Sequence, residues 1–524
     1  MTTTEARRGT VGGAETGGGT PRWAARFSIT LALLAGAALP FAFSPFDIAP
    51  LAVIAPAVLF LIWATAPRRR ALQAAYAFGV GYFGVGVSWV FVSIHEYGGS
   101  GPVLSGLVTV GFVLLLAAFP LLAAASALWL TRRAAVPAGG AVGCLVVFPA
   151  VWVLAEWVRS WLFTGFPWIL LGYAALDTPL QGLAPVVGVL GLSAVLAWLA
   201  GGVAWVVLRP GRRRGGVLAA AAVGLLAASV AADRPWGEVD GDPVVTAVIQ
   251  GNVPQDVKWL PQYRDAVRAR YFGLTRERLG AELIVWPETA IPELFHRSAG
   301  EFLEPVAAMV RAAGGTLVSG VPYGEPGAGP MHNSIVAFNE SPAFYHKRHL
   351  VPYGEYVPLR DLFGRRLDFL GAPMADYTPG PRPQPLPAGG YVLGATVCYE
   401  VAYPRAVAAA LPEAQLLVNV SNDAWFGDSL APHQHLQKAR MRAVETRRWM
   451  VRSTNTGISA VIDHRGRVRE RAPQFEATTL LASVEPRSGA TPYVVLGDMP
   501  VLAAAGLGIV AVFLPGWRRR GAAG

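Results

Sequence analysis

A thiol at the end of an apolar run is where this sequence first offers chemistry. The stretch Ala395-Thr-Val-Cys398-Tyr-Glu400 reads as the close of a buried strand, Tyr391 to Val397, that delivers a cysteine to a turn. The other cysteine, Cys144, lies in the apolar segment 141–154, so Cys398 has no evident disulfide partner. By itself a lone thiol is usually a small buried hydrophobe. Two more apolar runs end on chargeable groups. Leu283-Ile-Val-Trp286-Pro287-Glu288-Thr289 offers a carboxylate, which in such a place ordinarily caps a helix or closes a turn. Tyr345-His-Lys347-Arg348, followed by Leu350-Val-Pro-Tyr353-Gly354-Glu355, offers a lysine that is ordinarily solvated. Each is weak alone. In chain order they form Glu288, Lys347 and Cys398, separated by 59 and 51 residues. These are the groups that nucleophilic catalysis requires: a proton carrier, a fixed positive charge and a nucleophile. Within residues 233–498 no GxGxxG, phosphate-binding loop or HExxH occurs, and no clustered Cys or His completes a metal site around His433 and His435. No cofactor and no metal are expected, and the His pair reads as surface or structural.

The residues that must position this set fall into two kinds of chain. The sequence has 524 residues, 53% hydrophobic and 15% charged. Its mean hydropathy is +0.40, which points to membrane spans. Residues 1–22 lack apolar periodicity and read as a disordered cytoplasmic tail. Seven apolar runs follow, at 27–43, 48–66, 71–94, 103–130, 136–156, 180–208 and 216–232, and an eighth lies at 499–517. The net charge of +10 is not a nucleic-acid face, because the arginines cluster beside these runs. Arg7, Arg8, Arg22 and Arg26 precede the first; Arg68–Arg70 follow the second; Arg132 and Arg133 follow the fourth; Arg209 and Arg212–Arg214 follow the sixth; Arg518–Arg520 end the chain. The opposite loops hold only Arg159. The positive-inside rule then puts both termini in the cytoplasm and residues 233–498 outside. Glu156 and His95 fall at outer ends of spans and read as interfacial. The loop 157–179 carries Trp161, Phe163, Phe166, Trp168 and Tyr173, readable as an aromatic belt or as a lip beneath the external domain.

In 233–498 charge returns and short apolar runs alternate with amphipathic ones. Runs 244–250, 283–286, 316–319, 333–338, 392–397, 416–420 and 458–462 predict strands; 262–279, 300–313, 402–411 and 433–448 predict helices. Interleaving of this kind over one domain indicates an α/β sheet fold. The expected division is 1–22 tail, 23–232 seven-helix membrane domain, 233–498 external catalytic domain, and 499–524 last span with a basic tail.

The ordered Glu, Lys and Cys segments resemble the nitrilase superfamily and its Glu-Lys-Cys triad. Over nearly its full length the chain resembles that superfamily's membrane-bound branch, the apolipoprotein N-acyltransferases. Gln250-Gly-Asn-Val-Pro-Gln255, Lys258-Trp259, Trp286-Pro-Glu288, Lys347, Val351-Pro-Tyr-Gly-Glu355, Val397-Cys-Tyr-Glu400 and Val418-Asn-Val-Ser-Asn-Asp-Ala-Trp-Phe426 carry the likeness. It implies an αββα nitrilase-like sandwich outside a bundle of about eight helices, in a bacterial plasma membrane. It further implies that Cys398 takes a fatty acyl chain from a glycerophospholipid such as phosphatidylethanolamine. The chain then passes to the α-amine of an S-diacylglyceryl-cysteine at a lipoprotein N-terminus. Glu288 would be the general base, and Lys347 with the Tyr399 backbone N–H would hold the oxyanion. Trp259, Glu355, Tyr399 and Glu400 would support the site, Glu355 by holding Lys347 and Trp259 at the lipid entrance. Two other readings stand beside this one. A membrane-tethered amidase would use the same triad with water as acceptor. A transporter is disfavoured by spans nearly free of central charge, although Gly79–Gly86 could hide a break, and an inert scaffold is disfavoured by the intact triad.

Overall fold

The computed structural model describes residues 22–324, 329–356, 376–381 and 384–514. The expected tail before Arg22 and the basic C-terminal stretch after Leu514 lie outside the described residues. Each of the eight apolar runs contains helix, but they do not make eight long helices. Among the described residues, Pro102–Arg133, Pro179–Leu208 and Arg212–Ala232 are long and apolar enough to cross a membrane. A fourth candidate is a broken pair, Arg68–Gly86 with Trp89–Tyr97, bent by 53°. Phe27–Ala42, Leu51–Thr65 and Met499–Ala511 are apolar but shorter than the roughly 20 residues a perpendicular span needs. The expected span at 71–94 is thus interrupted just after Gly86, at the end of the glycine-rich stretch. The run at 180–208 is kinked as well, at Gly188, whose φ of +66° an L side chain rarely adopts.

Small residues let the first helices close on one another. A methyl on Gly36 would meet the Phe78 carbonyl oxygen at 2.0 Å, and one on Gly81 would meet that of Leu33 at 2.2 Å. Lipid supplies no hydrophobic drive between helices, so this close backbone contact is what joins Arg22–Ala38 to Arg68–Gly86.

The α/β domain holds two six-stranded sheets. One contains β1 (Val244–Gln250), β2 (Leu283–Val285), β3 (Thr316–Gly324), β4 (Met331–Ala337) and β5 (Ala343–His346). The other contains β6 (Leu386–Ala388), β7 (Tyr391–Val397), β8 (Leu416–Ser421), β9 (Met450–Thr454), β10 (Ala460–Ile462) and β11 (Val468–Arg471). The last strand, β12 (Thr478–Val484), returns to the first sheet beside β1. At the heart of each sheet three strands run parallel, β1-β2-β3 and β7-β8-β9. Their nearly continuous apolar sequences suit strands covered on both faces. Val248, Val285 and Val318 meet Val397, Val420 and Val451 between the sheets. The Arg264–Arg276 and Glu304–Ala312 helices cover the first sheet, and the Leu430–Thr446 helix covers the second. This is the αββα order expected.

The Leu430–Thr446 helix has two buried faces. Leu436, Ala439 and Ala443 pack on the second sheet, while Ala431, Met441 and Val444 enter the core of the membrane helices. Its polar side chains also serve the two helix breaks. Gln434 Nε2 donates to the Gly86 carbonyl at 3.2 Å, and Glu445 Oε1 accepts from Val189 N at 2.7 Å, just after the Gly188 kink. Groups released from a helix ladder are thereby satisfied from outside it. Glu156 departs from expectation. It is buried rather than interfacial, because Oε1 accepts from Leu171 N at 2.8 Å where the aromatic loop folds back.

Gly36→Ala is expected to lower the melting temperature of the detergent-purified protein, since overpacking there costs about 1–3 kcal/mol. Gly111→Ala, which faces open space, is expected to leave it unchanged. Equal melting temperatures for the two variants would contradict the close approach.

Candidate active site

The three sequence-predicted groups come from the ends of strands in both sheets. Glu288 lies just beyond β2, Lys347 follows β5, and Cys398 follows β7. β3 passes directly against Glu288 because Gly320 has no side chain; a methyl there would sit 2.5 Å from the Glu288 Cα.

Lys347 is 1% exposed and needs charge partners to be so. Its Nζ lies 2.9 Å from Glu355 and 3.8 Å from Glu288 Oε1. Asn333, on β4, donates through Nδ2 to Glu288 Oε1 at 2.7 Å and to Glu355 Oε1 at 2.8 Å. The second oxygen of Glu288 accepts from Asn422 N at 2.7 Å, and that of Glu355 from Val351 N at 2.8 Å. The site therefore holds two carboxylates about one ammonium, with amide donors fixing their directions. Burial pulls the Lys347 pKa down, but Glu355 and then Glu288 more than reverse this, so the ammonium stays charged. A second buried lysine, Lys258, donates to the Glu288 backbone oxygen at 3.3 Å. Burial brings its pKa down to about 8, with Glu288 opposing.

Cys398 is partly exposed, with φ of +51°, a left-handed turn that aims its side chain away from the strand. Burial pushes its thiol pKa up, the Glu288 charge adds to this, and Lys347 opposes both. The lowering by the ammonium is present but outweighed. The resting thiol is protonated at neutral pH, and a carboxylate must take its proton when attack occurs.

Glu400 is fully buried and ties two of the groups together. It accepts from Val397 N at 2.8 Å, Arg348 N at 2.8 Å, His349 N at 3.1 Å and the Tyr345 hydroxyl at 3.0 Å. The residues beside Lys347 and the residue before Cys398 thus share one carboxylate. Tyr399 points the other way. Its ring stacks on Trp168 at 5.9 Å, and its hydroxyl donates to Gly165 O at 3.4 Å. Tyr403 and His349 also bond this loop, at Gly165 O (2.9 Å) and Thr164 O (2.8 Å). The aromatic loop divides: Trp168 is buried beneath the site, while Phe163 is 78% exposed. Trp259 is 40% exposed and does not join the buried carboxylates.

Sequence reasoning missed Asn333 and Asn422, which orient Glu288, and Lys258 as a buried amine. A polar side chain inside the apolar run 333–338 was the available signal for Asn333. His435, read as surface or structural, is fully buried against Asp423, Arg452 and the Cys398 carbonyl.

Comparison with known proteins agrees with both halves of the chain. Residues 35–202 match the model of the apolipoprotein N-acyltransferase N-terminal domain, and 246–493 match that of carbon-nitrogen hydrolases. An apolipoprotein N-acyltransferase of Methylococcus capsulatus is 46% identical, covering 91% of this chain and 94% of its own. One from Azotobacter vinelandii is 42% identical (94% and 95% covered), and one from Nitrosomonas europaea 39% (93% and 97%).

The opposed charges on the thiol make a signed prediction. Alkylation of Cys398 by iodoacetamide, read by peptide mass spectrometry across pH, is expected to begin at lower pH in Glu288→Gln and at higher pH in Lys347→Met. Shifts of the same sign, or none, would contradict the electrostatics described.

Proposed function

The chain belongs to the apolipoprotein N-acyltransferase family, and from that premise we propose how it carries out its transfer. It is an acyltransferase. The donor is a membrane glycerophospholipid, and the acceptor is the α-amine of an N-terminal S-diacylglyceryl-cysteine. The observation that carries this reading is the buried pair of carboxylates about Lys347, within electrostatic reach of Cys398.

Glu288 takes the Cys398 proton as Sγ attacks the ester carbonyl carbon. The oxyanion that forms is held by Lys347 and the Tyr399 N–H; loss of one such donor costs about 100- to 1000-fold in rate. Collapse breaks the ester bond, and the departing lysophospholipid oxygen takes the proton from Glu288. A thioester remains on Cys398. The acceptor amine then enters, gives a proton to Glu288 and attacks the thioester carbon. The thiolate leaves and recovers that proton, completing an amide. Glu355 holds Lys347 through both oxygens, and Glu400 and Tyr399 hold the turn that carries Cys398. Trp259, exposed beside Lys258, serves the lipid entrance.

The membrane part brings lipid substrates to this site. On this reading residues 23–232 supply seven crossings and 499–524 the eighth, with short helices packed against long ones. Both termini are cytoplasmic and 233–498 faces outward at the plasma membrane, with 1–22 as a cytoplasmic tail. The arginine distribution supports that orientation.

In vesicles of phosphatidylethanolamine, the purified enzyme is expected to convert a diacylglyceryl-cysteinyl peptide to its N-acyl form, releasing equal lysophospholipid. A peptide with an acetylated α-amine is expected to give no product. Cys398→Ala abolishes transfer, and Glu288→Gln reduces it by about 100-fold or more. Free fatty acid appearing instead of acyl-peptide would favour the amidase-like hydrolase.

A further inference from the structure

The carbonyl of Cys398 is held by two side chains that the transfer steps do not use. His435 Nε2 lies 3.1 Å from the Cys398 oxygen, and Asn419 Nδ2 donates to it at 3.3 Å. They arrive from different elements, Asn419 from β8 and His435 from the Leu430–Thr446 helix. A carbonyl oxygen only accepts, so His435 Nε2 carries the proton, as it does in both the imidazolium and the Nε2–H neutral ring.

Both donors are themselves fixed. His435 Nδ1 lies 2.9 Å from Asp423 Oδ1 and 3.0 Å from Arg452 Nη2. Arg452 bonds Asp423 Oδ2 at 2.7 Å and also donates to Asn419 Oδ1. Ser421 Oγ donates to Asp423 at 2.7 Å. All five residues are buried. Apart from Arg452 Nε, every side-chain nitrogen and oxygen of these five residues has a partner, so the groups the network presents have little freedom.

The Cys398 carbonyl and the Tyr399 N–H belong to one peptide unit. That unit is planar and trans, so the two groups point in opposite directions. Fixing one aims the other. Cys398 needs such fixing, because its φ of +51° is a backbone conformation that surrounding structure must maintain. We infer that His435 and Asn419 are positioning residues that aim the Tyr399 N–H at the developing oxyanion by pinning the Cys398 carbonyl from the opposite side. The inference rests on the acyl-transfer reading above, in which that N–H holds the oxyanion.

Two substitutions at His435 separate this from a simple packing role. His435→Gln places an NH2 where Nε2 stood and keeps a donor for the Cys398 carbonyl. His435→Asn places its NH2 where Nδ1 stood, so it meets the Asp423–Arg452 side and leaves the carbonyl bare. Steady-state kinetics on phospholipid vesicles with the diacylglyceryl peptide are expected to show kcat about 100-fold lower in His435→Asn, the scale of one oxyanion donor, with KM little changed. His435→Gln recovers most of that loss. Alkylation of Cys398 by iodoacetamide, a displacement that forms no oxyanion, is expected to match wild type in both. Should His435→Asn fail to fold, Asn419→Leu removes the other donor without adding a charge near the thiol, and the same split between kcat and alkylation is expected. Equal kcat in the Gln and Asn variants would overturn the inference, as would alkylation falling in step with kcat. If wild-type enzyme fully alkylated at Cys398 still transferred acyl chains, the acyl-transfer reading itself would fall, and the inference with it.

Discussion

Keeping an ammonium charged inside the protein is the constraint on which the site depends. Lys347 is almost wholly removed from water, where an unpaired ammonium would lose its proton or be expelled. Two carboxylates prevent this, and they in turn repel each other unless amides hold them. Asn333 bridges them, while backbone N–H groups from Val351 and Asn422 take the remaining oxygens. Those partners come from both sheets. The sandwich therefore has to be assembled before the charge cluster can exist. Removing one partner leaves a buried charge uncompensated, a change that typically costs about 3–5 kcal/mol.

The second dependence is the joint between the domains. The membrane helices break at Gly86 and bend at Gly188, which releases backbone groups from their ladders. A helix of the α/β domain reaches both places with Gln434 and Glu445. The same helix carries His435 to the Cys398 carbonyl and packs on the strands that end in the site. Trp168 completes the joint, donating to Gln434 at 2.6 Å and stacking under Tyr399. The geometry near the thiol and the fit onto the membrane part are thus set by the same residues.

Much of this was legible in the sequence because it is written in local patterns. β1 and β7 matched their apolar runs residue for residue, since parallel central strands are buried on both faces. β9 was missed because Arg452 interrupts it, and only the folded partners Asn419 and Asp423 make a buried arginine there acceptable. β12 was missed because it lies at a sheet edge with mixed burial. Glu288, Lys347 and Cys398 were findable from their order after strands. Asn333 left one signal, a polar side chain inside an apolar run, while Asn422 and His435 left none, because their partners are distant in sequence. Apolar run length overstated the membrane helices, since composition registers neither the break after Gly86 nor the shortness of Leu51–Thr65. Glu156 was misplaced for a related reason: its partner is the loop's own folded-back backbone.

The central claim is that Cys398 carries the acyl chain as a thioester between two half-reactions. Intact-protein mass spectrometry after incubation with phospholipid vesicles, before any acceptor is added, tests it most directly. The account predicts one fatty-acyl mass increment, located on Cys398, removed by neutral hydroxylamine and lost to the peptide amine once acceptor is supplied. Full-rate transfer to the acceptor with no adduct on Cys398, or an adduct on a different residue, would contradict it.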